Sequence, residues 1–150
     1  MPVPKRDSQL LMSDSGLADE VWRVMASLVI DNRDGWKRAV VEQSGLPFSR
    51  IRILKRLSRQ SMTVKQLAHA AAMDAPATTV AVNDLEYRGL VVRETDPNNR
   101  RCKLVSLTDA GRGIVRTIDA VDDPAPDSLS ALDDTELKEL KAIIDKIVPK

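Results

Sequence analysis

The chain has 150 residues, of which 43% are hydrophobic and 30% charged, with a formal net charge of +1 at neutral pH. This length is typical of one domain that buries a core without covalent or metal staples. A single cysteine excludes an internal disulfide, and no apolar stretch is long enough to span a bilayer. The first ten residues also lack the apolar stretch of a secretory signal. We therefore expect a cytoplasmic protein with no membrane partner.

Charges are segregated along the sequence. Residues 43–73 contain no acidic residue and six basic ones, whereas residues 119–139 contain eight acidic residues and one lysine. Such segregation favours a polyanion as the partner of one face. Solvated helix faces are the simpler interpretation of either segment taken alone.

The N-terminal third has a helical pattern. Apolar residues at helical spacing predict a first helix over about 17–43, in which Gly35 marks a point where the helix can bend. Gly45 and Pro47 end that pattern. The stretch "PFSRIRILKRLSR" then predicts a second helix with Pro47 near its start.

Two short helices are predicted next. Thr63 is a suitable N-cap for a helix over 64–72, and Asp74 for a second helix with Pro76 in its first turn. Gly89 lies where a helix commonly ends on glycine. Two short helices joined by a tight turn form a helix-turn-helix. The buried stripe of the second helix is predicted to be Thr78, Val82 and Leu85.

A hairpin follows, because the strands "LVVRE" and "CKLVSL" flank the turn formers "DPNN". Arg100 and Arg101 are predicted at its exposed tip. Thr108 then caps a helix over 109–121, "DDPAPDS" interrupts it, and a last helix covers 135–148. The predicted fold is mainly α with a small antiparallel β-hairpin: a winged helix-turn-helix flanked by N- and C-terminal helices.

These stretches resemble the MarR family of bacterial transcription regulators, most clearly in "QLA", "DLEYRGLVVRE", "DPNNRR" and "VSLTDAG". The preceding "GLPFSRIRILKRL" and the tail "LSALDDTELKELKAIIDKI" also resemble that family. The resemblance implies one domain over 1–150, with dimerisation helices at about 17–45 and 109–148 and a DNA-binding core at about 47–108. It further implies a homodimeric repressor that binds a palindrome in double-stranded DNA and is released by a small, often phenolic or anionic, molecule.

The resemblance also assigns candidate DNA contacts. The helix after Asp74 would enter the major groove, where Asn83 could bond adenine through two hydrogen bonds. In the wing, Asp96 would pair with Arg100 while Arg101 enters the minor groove. The recognition-helix candidates are Pro76, Ala77, Thr79, Val80 and Asn83. The wing candidates are Asp96, Asn98, Asn99, Arg100, Arg101 and Lys103, and the candidates for the DNA backbone are Arg56, Thr63 and Lys65.

Two departures from the family pattern keep an alternative open. Relatives usually carry arginine at the position of Val80 and often a basic residue at that of Asp84, so this recognition helix is poor in positive charge. The alternative is a winged-helix module for protein interaction with weak or lost DNA binding. Pro124 and Pro126 interrupt a helix that is usually long in the family, so the dimer helices are expected to be bent or packed differently.

The remaining candidates have simpler interpretations. Trp22 and Trp36 are best explained as core or dimer packing, with a ligand pocket for a small-molecule effector as the alternative. His69 and Cys102 are the single histidine and cysteine of the chain, and neither has companions for catalysis or metal binding. We expect no enzyme activity, no cofactor and no metal.

Overall fold

The structure is a computed structural model that describes the backbone of residues 4–149 and the side chains of residues 16–149. Within that range the chain forms seven α-helices, one short 3-10 helix and one antiparallel hairpin. The elements are α1 (Pro4–Asp31), α2 (Asp34–Ser44), α3 (Phe48–Leu57), α4 (Val64–Ala70), α5 (Ala75–Tyr87), β1 (Val91–Asp96), β2 (Asn99–Leu107), α6 (Asp109–Asp119), a 3-10 helix (Asp127–Ala131) and α7 (Asp134–Ile147).

The prediction of one continuous first helix is wrong, because the chain breaks between α1 and α2. The break lies at Asn32 and Arg33, and Gly35 is instead inside the first turn of α2. The Asn32 side chain donates to the carbonyl of Leu28 at 2.7 Å. The backbone N–H of Asn32 bonds the carbonyl of Val29, three residues back, at 3.1 Å. An asparagine that bonds nearby backbone competes with helix continuation, which explains the break here.

The two helices of the predicted helix-turn-helix start at the caps read from the sequence. The Thr63 hydroxyl accepts from the N–H of Gln66 at 3.1 Å, and the Gln66 side chain accepts from the N–H of Thr63 at 3.0 Å. Asp74 accepts from the N–H of Ala77 at 2.7 Å. Both caps are confirmed, although α4 ends at Ala70 because Ala72 adopts a left-handed φ of 52° in the turn.

The hairpin is longer and more irregular than predicted. Its pairing runs regularly from Val91 opposite Leu107 to Thr95 opposite Lys103, and then shifts so that Asp96 lies opposite Asn99. Residues 100–102 therefore bulge out of the ladder, so Arg100 and Arg101 lie in β2 beside the turn instead of at its tip. Met62 pairs with Val105 in an isolated bridge, which ties the sheet to the connection between α3 and α4.

The core is built from side chains of α2 to α6 and of the hairpin. Gly111 shows how closely these elements approach, because a Cβ atom on it would lie 2.1 Å from the carbonyl oxygen of Leu90. The predicted stripe of α5 is confirmed, since Thr78, Val82 and Leu85 are fully buried. The largest fully buried side chains are Ile51, Ile53, Leu54, Leu67, Leu85 and Ile118.

The C-terminal interruption predicted from the prolines is confirmed. Pro124 and Pro126 lie between the end of α6 and the start of the 3-10 helix. Helix α7 then begins at a second capping box, in which the Asp133 carboxylate accepts from the N–H of Glu136 at 2.8 Å. No described residue of α1 or α7 is buried.

Candidate nucleic-acid interface

The solvent-facing surface of α5 is apolar or uncharged along most of its length. The five residues predicted for DNA contact are all exposed there: Pro76, Ala77, Thr79, Val80 and Asn83. Val80 is 60% exposed, so its methyl groups are accessible from solvent. Methyl groups and hydroxyls of this kind can contact thymine methyl groups and base edges in a major groove.

The Asp84 carboxylate adds no unpaired negative charge to α5, because two arginines contact it. The Arg50 Nε atom of α3 donates to its Oδ2 atom at 3.0 Å, and the Arg88 Nε atom donates to both carboxylate oxygens at 3.1 Å. The hydrogen bond from Arg50, followed by the contacts from Arg88, lowers the pKa of Asp84 below its ordinary value despite partial desolvation. This Asp84 clamp carries a net charge of +1, and sequence reasoning missed Arg50 and Arg88 as members of this surface.

Asn83 is held by a residue of the next element, which sequence reasoning also missed. The guanidinium of Arg93, in β1, donates to the Asn83 Oδ1 atom. The Arg93 Nε atom lies 3.6 Å from a Glu86 carboxylate oxygen. The Arg93 side chain is only 23% exposed, so it is largely enclosed between helix and strand. Its pairing with Asn83 spans ten residues and two elements, so no local signal in the sequence announces it.

The wing differs from the prediction in one contact. The Asp96 carboxylate accepts from the N–H of Asn98 at 2.8 Å and so caps the turn. No ion pair joins Asp96 to Arg100 in the described part of the chain, and that predicted pair is wrong. Asn99 fixes the next residues instead, since its Oδ1 atom accepts from the N–H of Arg101 at 3.2 Å.

Three cations project from the wing. Arg100, Arg101 and Lys103 are exposed, and none forms an ion pair with a described residue. Arg100 and Arg101 stand on the irregular part of β2, and Lys103 is the first residue of its regular pairing, opposite Thr95. Free cations on a protruding hairpin suit the narrow, negative groove of a duplex.

The three residues predicted to contact the DNA backbone have different surroundings. Lys65 is exposed in the first turn of α4, and the Thr63 hydroxyl is used as the cap of that helix. Arg56 is half-buried, and its Nε atom donates to the carbonyl of Ala70 at 3.3 Å. Burial, followed by repulsion from Arg52 and Arg59, lowers the pKa of Arg56. Arg56 therefore belongs to the lining of a cavity between α2, α3 and α6.

A cavity of about 390 Å³ lies where α2, α3 and α6 meet. Trp36 and Phe48 line it in an edge-to-face arrangement, with ring centroids 5.8 Å apart. Its basic residues are partly occupied: Arg33 pairs with Asp123, Lys55 with Asp119, Arg52 donates to the carbonyl of Ala71 and Arg56 to that of Ala70.

Trp22 does not line this cavity. It lies on α1, 68% exposed, in a separate apolar groove with Met25 and Val29. The two tryptophans named for the alternative of a ligand pocket therefore lie in separate depressions, on the two helices that flank the break at Asn32 and Arg33.

Other chemistry is sparse in the described residues. They contain no group of three or more His, Cys, Asp or Glu side chains that could hold a metal ion. His69 is exposed on α4, and Cys102 is a half-buried free thiol in the wing, 3.5 Å from the Asn99 side-chain amide. None of the described helices combines the length and the apolar character that crossing a bilayer requires.

Comparison with known proteins connects this arrangement to a family. The MarR family model matches residues 44–101, which span the helix-turn-helix and most of the hairpin. The HTH-type transcriptional regulator YwhA of Bacillus subtilis, itself named as uncharacterized, is 36% identical over 53 residues. That alignment covers 35% of this chain and 38% of YwhA, well under two thirds of either. The family resemblance is confirmed, and the winged-helix segment carries it.

Solved structures agree on the fold. Wild-type apo MarR from E. coli superposes with a TM-score of 0.68 at 21% identity, covering 83% of this chain and 95% of that one. BldR from Sulfolobus solfataricus gives 0.58 at 23%, covering 98% and 100%. A mutant of MepR from S. aureus bound to an oligodeoxyribonucleotide gives 0.57 at 20%, covering 87% and 94%. The fold is therefore a MarR-type winged helix, and MarR proteins are transcription regulators, not enzymes.

Proposed function

We propose that this chain, whose residues 44–101 match the MarR family model, is a homodimeric transcription regulator that binds a palindrome in double-stranded DNA. The observation that carries the proposal is the exposed face of α5 beside a wing with three free cations. Cations placed near phosphates release condensed counterions and so supply salt-dependent affinity. Helix α5 enters the major groove, and Arg100 and Arg101 reach the minor groove.

The Asp84 clamp adds a second group of phosphate contacts. Arg50 and Arg88 are pre-oriented by one carboxylate, and their side chains remain 20% and 42% exposed. Lys65, at the start of α4, is a further exposed cation for a phosphate contact. The clamp compensates for the low charge of α5, because its cations sit beside that helix and not on its groove-facing surface. The clamp answers the part of the argument for a protein-interaction module that rested on Asp84, whereas the part that rested on Val80 stands.

A second copy of the chain is the proposed cover of α1 and α7. Leu17, Trp22 and Ile30 of α1 are 66%, 68% and 67% exposed, and Ile147 of α7 is 63% exposed. Apolar surface on this scale favours burial against a partner. A two-fold dimer presents two recognition helices to half-sites about 10 bp apart, one turn of the duplex, and its symmetry matches that of a palindrome.

Repression with release by a small anionic aromatic molecule is the proposed regulation. The cavity beside Trp36 offers aromatic walls for a ring and four basic residues for a carboxylate. Two of these, Arg52 and Arg56, bond the last carbonyls of α4, at the turn that leads to α5. A carboxylate that attracts these guanidiniums competes with those carbonyls and so displaces the recognition helix. The proposed site of action is the cytoplasm.

The test is DNA binding by fluorescence anisotropy, using the duplex upstream of the chain's own gene. The double variant Arg100→Ala/Arg101→Ala should lower affinity by about tenfold or more and reduce the slope of log K against log salt by about 2. The control Arg59→Ala/Arg116→Ala also removes two exposed cations, but from the surface between α3 and α6. It should leave most of the affinity intact.

Two further readouts separate the parts of the proposal. Aromatic carboxylic acids should release the duplex and quench the fluorescence of Trp36, so the quenching should persist in Trp22→Phe and disappear in Trp36→Phe. If the wild-type chain ignored every duplex even in dilute salt and retained a defined protein partner, the interaction-module alternative would replace DNA binding.

A further inference from the structure

At the base of the wing, Arg93 contacts two residues of α5, Asn83 and Glu86. Arg93 is placed by its position in β1, where its side chain is largely enclosed, and by Glu86 of α5 at 3.6 Å from its Nε atom. Its guanidinium donates to the Oδ1 atom of Asn83. Asn83 is itself exposed on the face of α5 that holds the DNA-contact candidates.

The chemistry of the guanidinium decides which way the amide of Asn83 points. A guanidinium has N–H donors and no acceptor, so only the amide oxygen can face it. The two N–H bonds of the Nδ2 atom therefore point away from Arg93. The Asn83 Nδ2 atom makes no hydrogen bond with a described residue, whereas Asn99 and Asn32 both use theirs.

We propose that Arg93 is a positioning residue that makes Asn83 a hydrogen-bond donor to one base in each DNA half-site, so that this position selects guanine over adenine. The inference rests on the proposed function, because it requires a bound duplex. It also replaces the expectation that Asn83 recognises adenine.

Base chemistry gives the direction of the preference. Guanine presents two adjacent acceptors, N7 and O6, in the major groove. Adenine presents the acceptor N7 beside the donor N6, so it needs both the oxygen and the nitrogen of an asparagine amide. With its Oδ1 atom bonded to Arg93, the Asn83 amide can only donate hydrogen bonds to a base. Adenine offers it one acceptor, N7, whereas guanine offers two, N7 and O6. We expect about a tenfold preference for guanine at this position, within the range that one good base contact provides.

The test is in vitro selection from a duplex library randomised over the half-site, followed by sequencing. The wild-type chain should select guanine at one position per half-site, and Asn83→Ala should lose the preference at that position alone. Arg93→Met frees the amide oxygen and should raise the adenine-to-guanine ratio there by about tenfold. Arg93→Lys keeps a group that only donates, and should preserve the guanine preference.

A purely structural role for Arg93 would predict a different result. Loss of packing alone would weaken binding to all sequences equally, so an unchanged ratio in Arg93→Met would overturn the inference. Unchanged preferences at the other half-site positions are the control for folding. If Arg93→Met does not fold, Asn83→Asp decides: a carboxylate in this place accepts and cannot donate, so guanine should give way to cytosine, which offers its N4 donor. Persistence of guanine in that variant would also overturn the inference.

The failure of this inference and that of the proposed function are distinct. If the wild-type chain selects no sequence and binds no duplex, the proposed function fails. If it selects a palindrome whose positions are all indifferent to Asn83 and Arg93, only the inference fails.

Discussion

The winged-helix core (α2 to α6 with the hairpin) and the helical arms (α1 and α7) differ in how they treat apolar side chains. In the core, Ile51, Leu67 and Leu85 have at most 1% of their surface exposed, whereas in the arms Leu17 and Trp22 are 66% and 68% exposed. The core is thus a complete folding unit within one chain. The exposed side chains of the arms are the surface that the proposed second copy would cover, so in that proposal folding and assembly depend on different segments of the sequence.

Breaking the arms is expected to have the largest effect. The double variant Trp22→Glu/Ile147→Glu introduces charges into the uncovered apolar faces, where burial in a dimer would require their desolvation. We expect monomers by analytical ultracentrifugation at micromolar concentration and at least about 100-fold weaker binding to a palindromic duplex, since avidity between two half-sites is lost. The far-ultraviolet circular dichroism of the core should persist.

The matched control for the arms is Arg23→Gln, next to Trp22 and exposed on the same helix. It changes charge without touching the apolar faces, and should leave the dimer intact. If the Trp22→Glu/Ile147→Glu variant stayed dimeric, a different surface would be the interface. The exposed apolar side chains of the arms would then not be explained by dimerisation.

A substitution at Gly111 tests how closely the core is packed. Alanine at this position would put a Cβ atom 2.1 Å from the Leu90 carbonyl oxygen, so α6 or β1 must shift. We expect Gly111→Ala to lower the free energy of unfolding by about 2–3 kcal/mol, as overpacking a close contact does. Urea denaturation at fixed protein concentration measures it. Gly113→Ala is the control, because its Cβ would meet only an Arg116 side-chain atom at 3.7 Å. Better helix propensity should stabilise that variant by up to about 1 kcal/mol.

The elements that could be predicted from the sequence depend on short-range chemistry. The caps Thr63 and Asp74 bond backbone groups only three residues away, so their residue types suffice to identify them. The fold class follows from these caps, the apolar periodicity and the turn formers of the hairpin.

What sequence reasoning missed depends on contacts between distant residues. The break after α1 places Arg33 next to Asp123, 90 positions away, and Asp84 is neutralised by Arg50, 34 positions away. The net charge of a helix surface cannot be inferred from the residues of that helix alone when residues of other elements form ion pairs with them. The same holds for Arg93, whose role emerges only when β1 packs on α5.

Within the core, the Asp84 carboxylate joins α5 to α3 through Arg50. It also restrains Arg50 and Arg88 at the proposed DNA-binding surface. Asp84→Asn keeps the side-chain shape but removes one negative charge from this surface. We expect about three- to tenfold tighter binding to duplex DNA and a steeper salt dependence, by about one unit of slope. Asp109→Asn, which also loses a carboxylate paired to an arginine, is the control on α6. Weaker binding by Asp84→Asn would mean that the carboxylate's hold on Arg50 and Arg88 matters more than its charge.

The smallest effect concerns Ala72, in the turn that joins the last carbonyls of α4 to α5. Its φ of 52° is a left-handed conformation that costs a residue with a Cβ roughly 1 kcal/mol. Glycine adopts this conformation freely, but it also gains entropy in the unfolded chain. The two terms largely offset each other, so we expect Ala72→Gly to raise the free energy of unfolding by no more than about 0.5 kcal/mol.

The control Ala70→Gly, at the end of α4 with ordinary helical geometry, should instead lower the free energy of unfolding by about 0.5–1 kcal/mol. Opposite signs for two alanines two positions apart would identify backbone conformation as the cause. Equal losses would indicate that the turn of the helix-turn-helix is unstrained, and that its position depends on the arginines that bond it from the cavity.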